Sequence, residues 1–282
     1  MKVSTKHHYI PACYLKGFTN EGTRGSLFWA FPADVVGSKY GTNPNDACVS
    51  NNYYKLENSI DPLLIENWYG GTVEPLIGQF LENLDNLKEI NPRDEGFVWL
   101  LTSLLLRNPR HRASIENPLL RAQTIAESMK KDYKSKGITL DISDTNFEKE
   151  DIIEQELNQI KSASYYLPLF KYTIIKAPED ICVITSDSPM ILAHQTKKVY
   201  GLATKGTMII APLNKETLIA GTNDINLPKM HYASIDEIAT YNAMIMNSVT
   251  ERCFSNNDHF LFMNDKDIIT KYPFLTTTNH NQ

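Results

Sequence analysis

Five kinds of side chain in this sequence could do chemistry. Near the start stand adjacent histidines, His7 and His8, followed by Tyr9, Ile10 and Pro11. Imidazole exchanges protons near neutral pH and also ligates metals. Glu66 and Glu74 are a carboxylate pair that could hold a divalent metal or divide acid and base roles. Arg107, Arg110 and Arg112 crowd into the run Arg107-Asn108-Pro109-Arg110-His111-Arg112, and a guanidinium fork matches the oxygens of phosphate and carboxylate. Asp187, within Thr185-Ser186-Asp187-Ser188-Pro189, is placed to present a carboxylate from a turn closed by proline. Asn242 and Asn247 interrupt an apolar run holding Tyr241, Met244, Ile245 and Met246, and a buried amide needs partners.

Each residue also has a purely structural reading. A His-His pair ahead of an apolar residue and proline is found at the opening of small His-metal nucleases, but no histidine follows until His111, so a compact ββα metal finger is not encoded. Neighbours in an extended chain point to opposite faces, so His7 and His8 cannot share one metal unless the chain turns there. Glu66 and Glu74, eight apart, would fall on neighbouring parts of a helix face, and Gly70-Gly71 between them disturbs that spacing. Arginines after an apolar helix complement its carbonyl end, a stabilisation of about 0.3–1 kcal/mol that three arginines exceed. Asp187 could simply close its turn, and Asn242 could fasten its helix to a loop or hold a ligand.

These residues sit at the boundaries of regular elements. Ser26–Phe31 reads as a strand in an otherwise loop-rich opening. Between Asp61 and Ile90 apolar residues fall at helical spacing, broken at Gly70-Gly71, with Pro75 fit for the first turn of a second helix. Asp94–Arg107 has almost no polar face, which predicts a buried helix, and Asn108-Pro109 ends it. Further helices are expected from near Pro118 to Gly137 and from about Phe147 to Ser162. After Pro168 come strands at Phe170–Ile175, Ile181–Thr185, Thr207–Ala211 and Thr217–Ala220. A helix from the Ser234 cap to about Arg252 and a strand at His259–Phe262 follow. This order predicts a single α+β domain over 1–282, helical at about 59–165 and rich in antiparallel sheet at about 166–265, ending in a polar tail, Thr276–Gln282.

Composition narrows the function. The chain has 282 residues and a net charge of -5, with 28 Lys plus Arg against 33 Asp plus Glu, so a basic coat for long duplex nucleic acid is excluded. No apolar run reaches the ~20 residues of a membrane helix and the opening residues do not resemble a signal peptide, so a cytoplasmic protein without membrane partners is expected. Cys13, Cys48, Cys182 and Cys253 are widely spaced and predict reduced, structural thiols. Motifs for P-loops, dinucleotide folds, zinc proteases and serine hydrolases are absent.

Taken together, the segments resemble the bacterial family known as domain of unknown function 4238. The resemblance rests on Lys6, His7, His8, Tyr9, Pro11, Tyr14, Leu15 and Phe18 at the opening and on Thr185, Ser186, Asp187 and Pro189 later. Between and after them lie Glu66 and Glu74, then Leu106, Arg107 and Pro109, then Pro212, Leu213 and Leu218, and finally Asn242. It implies that His, Glu, Arg, Asp and Asn recur as a set, as the members of one site would. It implies no particular activity.

Two functions remain open. In the first, the protein is a hydrolase or transferase acting on a phosphate-bearing substrate, a nucleotide or short nucleic acid, with a divalent metal as the candidate cofactor. His7, His8 and Asp187 would then be catalytic, Arg107, Arg110 and Asn242 would bind substrate, and Glu66 and Glu74 would ligate the metal. In the second, the same residues belong to a non-catalytic sensor or interaction protein, whose fourteen tyrosines suit a binding surface as well as a core.

Overall fold

A computed structural model describes residues 6–139 and 147–273; the polar tail at Thr276–Gln282 lies outside them. The fold is α+β. Strand β1 (Lys6–His8) leads into a short helix, α1 (Ala12–Leu15), followed by β2 (Phe28–Pro32), β3 (Tyr40–Thr42) and β4 (Val49–Asn51). Helices come next: α2 (Leu64–Trp68), a π turn (Tyr69–Val73), α3 (Glu74–Glu82), α4 (Glu95–Leu106), α5 (Pro109–Ser135) and α6 (Lys149–Tyr166). The sheet-rich part holds β5 (Lys171–Lys176), β6 (Thr185–Ser186), β7 (Ile191–His194), β8 (Thr207–Asn214), β9 (Thr217–Thr222) and β10 (Met230–Tyr232). After helix α7 (Ile235–Ser248) come β11 (Arg252–Ser255), β12 (Phe260–Met263) and β13 (Ile269–Tyr272).

The largest sheet has the order β10-β5-β9-β8-β7 and is antiparallel except where β10 runs parallel to β5. A second sheet, β3-β2-β11-β6, joins the opening of the chain to its end, and two pairs, β1-β4 and β12-β13, stand apart. Among the described residues no helix is long and apolar enough to cross a membrane.

Helix α4 is the buried helix its composition predicts. Asp94 caps it by accepting the Phe97 N–H, and Phe97, Leu100, Leu101 and Leu104 are fully buried. They join Phe170, just ahead of β5, and Ile174, Ile209 and Ile219 of the large sheet in one apolar cluster, so helical and sheet parts share a core. Gly96 sets the approach of α3: a Cβ there would lie 2.3 Å from the Leu76 carbonyl oxygen. Tyr14 ties α1 to the sheets through Thr185 Oγ1 at 2.7 Å and the Pro212 carbonyl at 3.0 Å.

Three boundaries differ from the sequence reading. Helix α5 starts at Pro109, not near Pro118: Asn108 caps it by accepting the His111 N–H, while Pro118 sits inside on the exposed face, where a carbonyl left without a donor meets water. The apolar run Ile181–Ile184 is not a strand, because a side chain takes the place of a neighbouring strand. Asn242 accepts the Ile184 N–H and donates to the Cys182 carbonyl. The last helix ends at Ser248, short of Arg252, because the next N–H groups turn aside to Asp187 and Arg252 enters β11.

Candidate acid–base site

Pairing of β1 with β4 sets His7 opposite Ser50 and His8 opposite Val49, and the alternation of an extended chain sends the two rings different ways. His7 is fully buried. Its Nδ1 accepts the Tyr54 N–H at 3.1 Å, so the neutral ring carries its proton on Nε2. Glu66 Oε2 lies 3.7 Å from the same Nδ1. The spacing suits an ion pair, but burial opposes both charges. Desolvation, then the Lys149 charge, lowers the His7 pKa. Desolvation also raises Glu66 to about 7, against the pull of Arg107 and with a further push from Glu74. Between the lowered His7 value and about 7 the two meet as carboxylic acid and neutral imidazole.

Glu74 reaches the same neighbourhood through an unusual turn. A straight α-helix would set residues eight apart about 80° from one another around its axis, but the π turn at Tyr69–Val73 takes up one extra residue. A separation of eight then behaves like seven, and residues seven apart share a face. Gly70 and Gly71, which interrupt the helical pattern, form the middle of that turn.

Arg107 joins these pieces. As the cap residue after α4 it is 3% exposed; Nη2 donates to the His8 carbonyl at 2.9 Å and approaches Glu74 Oε1 at 3.5 Å, and Nε donates to Tyr54 Oη at 3.3 Å. Its guanidinium carbon lies over the Tyr69 ring, 3.6 Å from the centroid. The expected anion clamp therefore directs most of its donors inward, tying β1 and Tyr54 to α3. Arg112 is likewise paired internally, bidentate to Glu156 at 2.7 and 2.6 Å and over the Tyr53 ring.

His8 is half-buried. Its Nε2 is 3.0 Å from the Pro44 carbonyl, which can only accept, so Nε2 carries the proton and Nδ1 keeps a lone pair. Desolvation lowers its pKa, opposed by the Pro44 carbonyl and Glu74. Beside it a pocket of about 240 Å³ is lined by Cys13, Lys16, Arg24, Glu74 and Glu82. Arg24 is exposed and in no ion pair among the described residues.

The structure thus gathers His7, His8, Glu66, Glu74 and Arg107. The other sequence candidates bond elsewhere. Asp187, fully buried, accepts the N–H groups of Thr250 at 2.9 Å, Glu251 at 2.6 Å and Arg252 at 3.3 Å. Burial raises its pKa and those three bonds restrain the rise. Asn242 holds Ile184, Cys182 and the Leu261 carbonyl, and Arg110 Nη1 donates to the Ser248 carbonyl at 3.0 Å. Sequence reasoning missed Tyr54, Tyr69, Arg24 and Glu156. Tyrosines adjoining a strand and a glycine pair were the available signal for the first two; Glu156 looks like any charge on a helix face.

For a divalent metal the fit is poor. A guanidinium already neutralises Glu74, and among the described residues no group of three or more His, Cys, Asp or Glu side chains is arranged to hold a metal ion. No curated protein and no solved structure matches this chain. The family model for proteins of unknown function, DUF4238, matches residues 6–259, and the chain belongs to that family.

Proposed function

We propose that this chain is a cytoplasmic hydrolase or transferase acting on a small phosphate-bearing substrate, such as a nucleotide or a short single strand, with Glu66 as general acid. The observation that carries the reading is Glu66 itself, a partly exposed carboxyl with a pKa of about 7 beside a neutral histidine and a second glutamate. A general acid works best when its pKa lies near the working pH. In this reading Glu66 gives its proton to the leaving-group oxygen as water attacks phosphorus, and His8 Nδ1 takes the proton from that water. Arg24 and Lys16 hold the phosphate oxygens, while Arg107 holds Glu74 in place.

The test is a screen of nucleotides, phosphomonoesters and phosphodiesters with and without divalent cations, repeated for Glu66→Gln and His8→Ala. Wild-type turnover is expected to fall as pH rises through about 7, where Glu66 loses its proton, and both variants should lose it while keeping the fold. Folded wild-type protein inert toward every substrate would remove the proposal. The alternative of a non-catalytic ligand-binding protein is favoured by a separate feature, a larger cleft at the start of α5.

A further inference from the structure

Arg110, Asp187 and Asn242 take no part in the cluster around Glu66, yet all three bear on one cleft of about 520 Å³. One side is the first turn of α5, where the Asn108 cap presents Arg110 and His111. The end of α7 contributes Met244, Asn247 and Ser248, and Ser188, Met190, Ile191 and Leu192 complete the lining. The volume suits a small-molecule site.

The walls are fixed by bonds already described. Asn242 pins α7 to the chain leading into Thr185. Asp187 gathers the backbone just beyond α7, and Ser248 Oγ donates to the Ser188 carbonyl at 3.0 Å. Arg110 closes the frame through the Ser248 carbonyl using one nitrogen only. Its Nε and Nη2 have no partner among the described residues, it joins no ion pair there, and no acidic residue lines the cleft. Arg107 and Arg112, three and two residues away along the chain... each have a glutamate, so Arg110 differs from both neighbours in the same cationic run. The rest of the lining turns apolar, with Leu105, Met190, Leu192 and Met244.

We infer that this cleft binds a small amphipathic anion, its carboxylate or phosphate on Arg110 and Asn247 and its apolar body between Met190 and Met244. The two methionines suit a flat body, since an unbranched thioether adapts to a ring face. Asp187 and Asn242 are positioning residues for the walls. The inference is independent of acid–base chemistry at Glu66 and survives if that reading fails.

Calorimetric titration of the full chain with naphthyl phosphate, naphthoate and inorganic phosphate tests it. At least one naphthyl anion should bind, and inorganic phosphate should bind at least about tenfold more weakly, having no apolar body to bury. Arg110→Ala, at an exposed position, should weaken the naphthyl anion about tenfold or more. Asn247→Glu, also exposed, should do the same by charge repulsion, and serves if the first variant misfolds. The two naphthyl arms distinguish a phosphate ligand from a carboxylate. No binding by either naphthyl anion, equal binding of inorganic phosphate, or affinity unchanged in a folded variant would overturn the inference.

Discussion

Glu66 and Glu74 lie on one side of their helix because a single π turn between them absorbs a residue. The same turn carries Tyr69, whose ring supports the Arg107 guanidinium that pairs with Glu74. One irregularity therefore places both carboxyls and the platform for the cation between them.

Stability should depend on pH through Glu66. Its folded pKa is raised from 4.5 to about 7, so the folded protein holds this proton more tightly than the unfolded chain does. That contribution is complete below the unfolded value and is lost as pH rises through about 7. His7 acts oppositely: its lowered pKa favours the unfolded chain as pH falls below the ordinary histidine value. Comparing thermal melts of wild type and Glu66→Gln isolates the glutamate. Wild type should lose several degrees relative to the variant between about pH 5 and about pH 8; parallel curves would place the Glu66 carboxyl in water.

Replacing Arg107 by alanine should cost about 3–5 kcal/mol in a denaturant titration, because it leaves Glu74, the His8 carbonyl and Tyr54 without their shared donor. Lysine should not restore the loss, having neither the fork nor the planar group that lies over Tyr69. Full rescue by lysine would reduce the role of Arg107 to that of a point charge.

Asp187→Asn should destabilise the protein by about 1–3 kcal/mol, since an amide offers one acceptor oxygen where three backbone N–H groups converge, and turns its own donors toward them. Hydrogen exchange should then quicken first at Thr250, Glu251 and Arg252. Unchanged protection there would deny Asp187 its role beyond α7.

Gly96→Ala should cost about 1–3 kcal/mol, as the new methyl group meets the Leu76 carbonyl and Phe80 and forces α3 away from α4. Because α3 carries Glu74 and α4 leads to Arg107, the same variant should weaken the Glu74–Arg107 pair. A melt equal to wild type would show that the two helices are less closely packed.

Local pattern in the sequence determined the α+β class, the buried helix at Asp94–Arg107, the Ser234 cap and the opposed rings of His7 and His8. Each follows from the period of a helix or strand, or from a side chain bonding the backbone within three residues. Only the tertiary structure decided that Gly70-Gly71 is a π turn that aligns Glu66 with Glu74, that Asn242 replaces a strand beside Ile184, and that Asp187 ends α7. The last two depend on backbone groups brought together from about sixty residues away. Burial had the same long-range origin: the sequence shows a glutamate at position 66, but its proton affinity is set first by the desolvation that the whole fold imposes and then by the charges of Arg107 and Glu74.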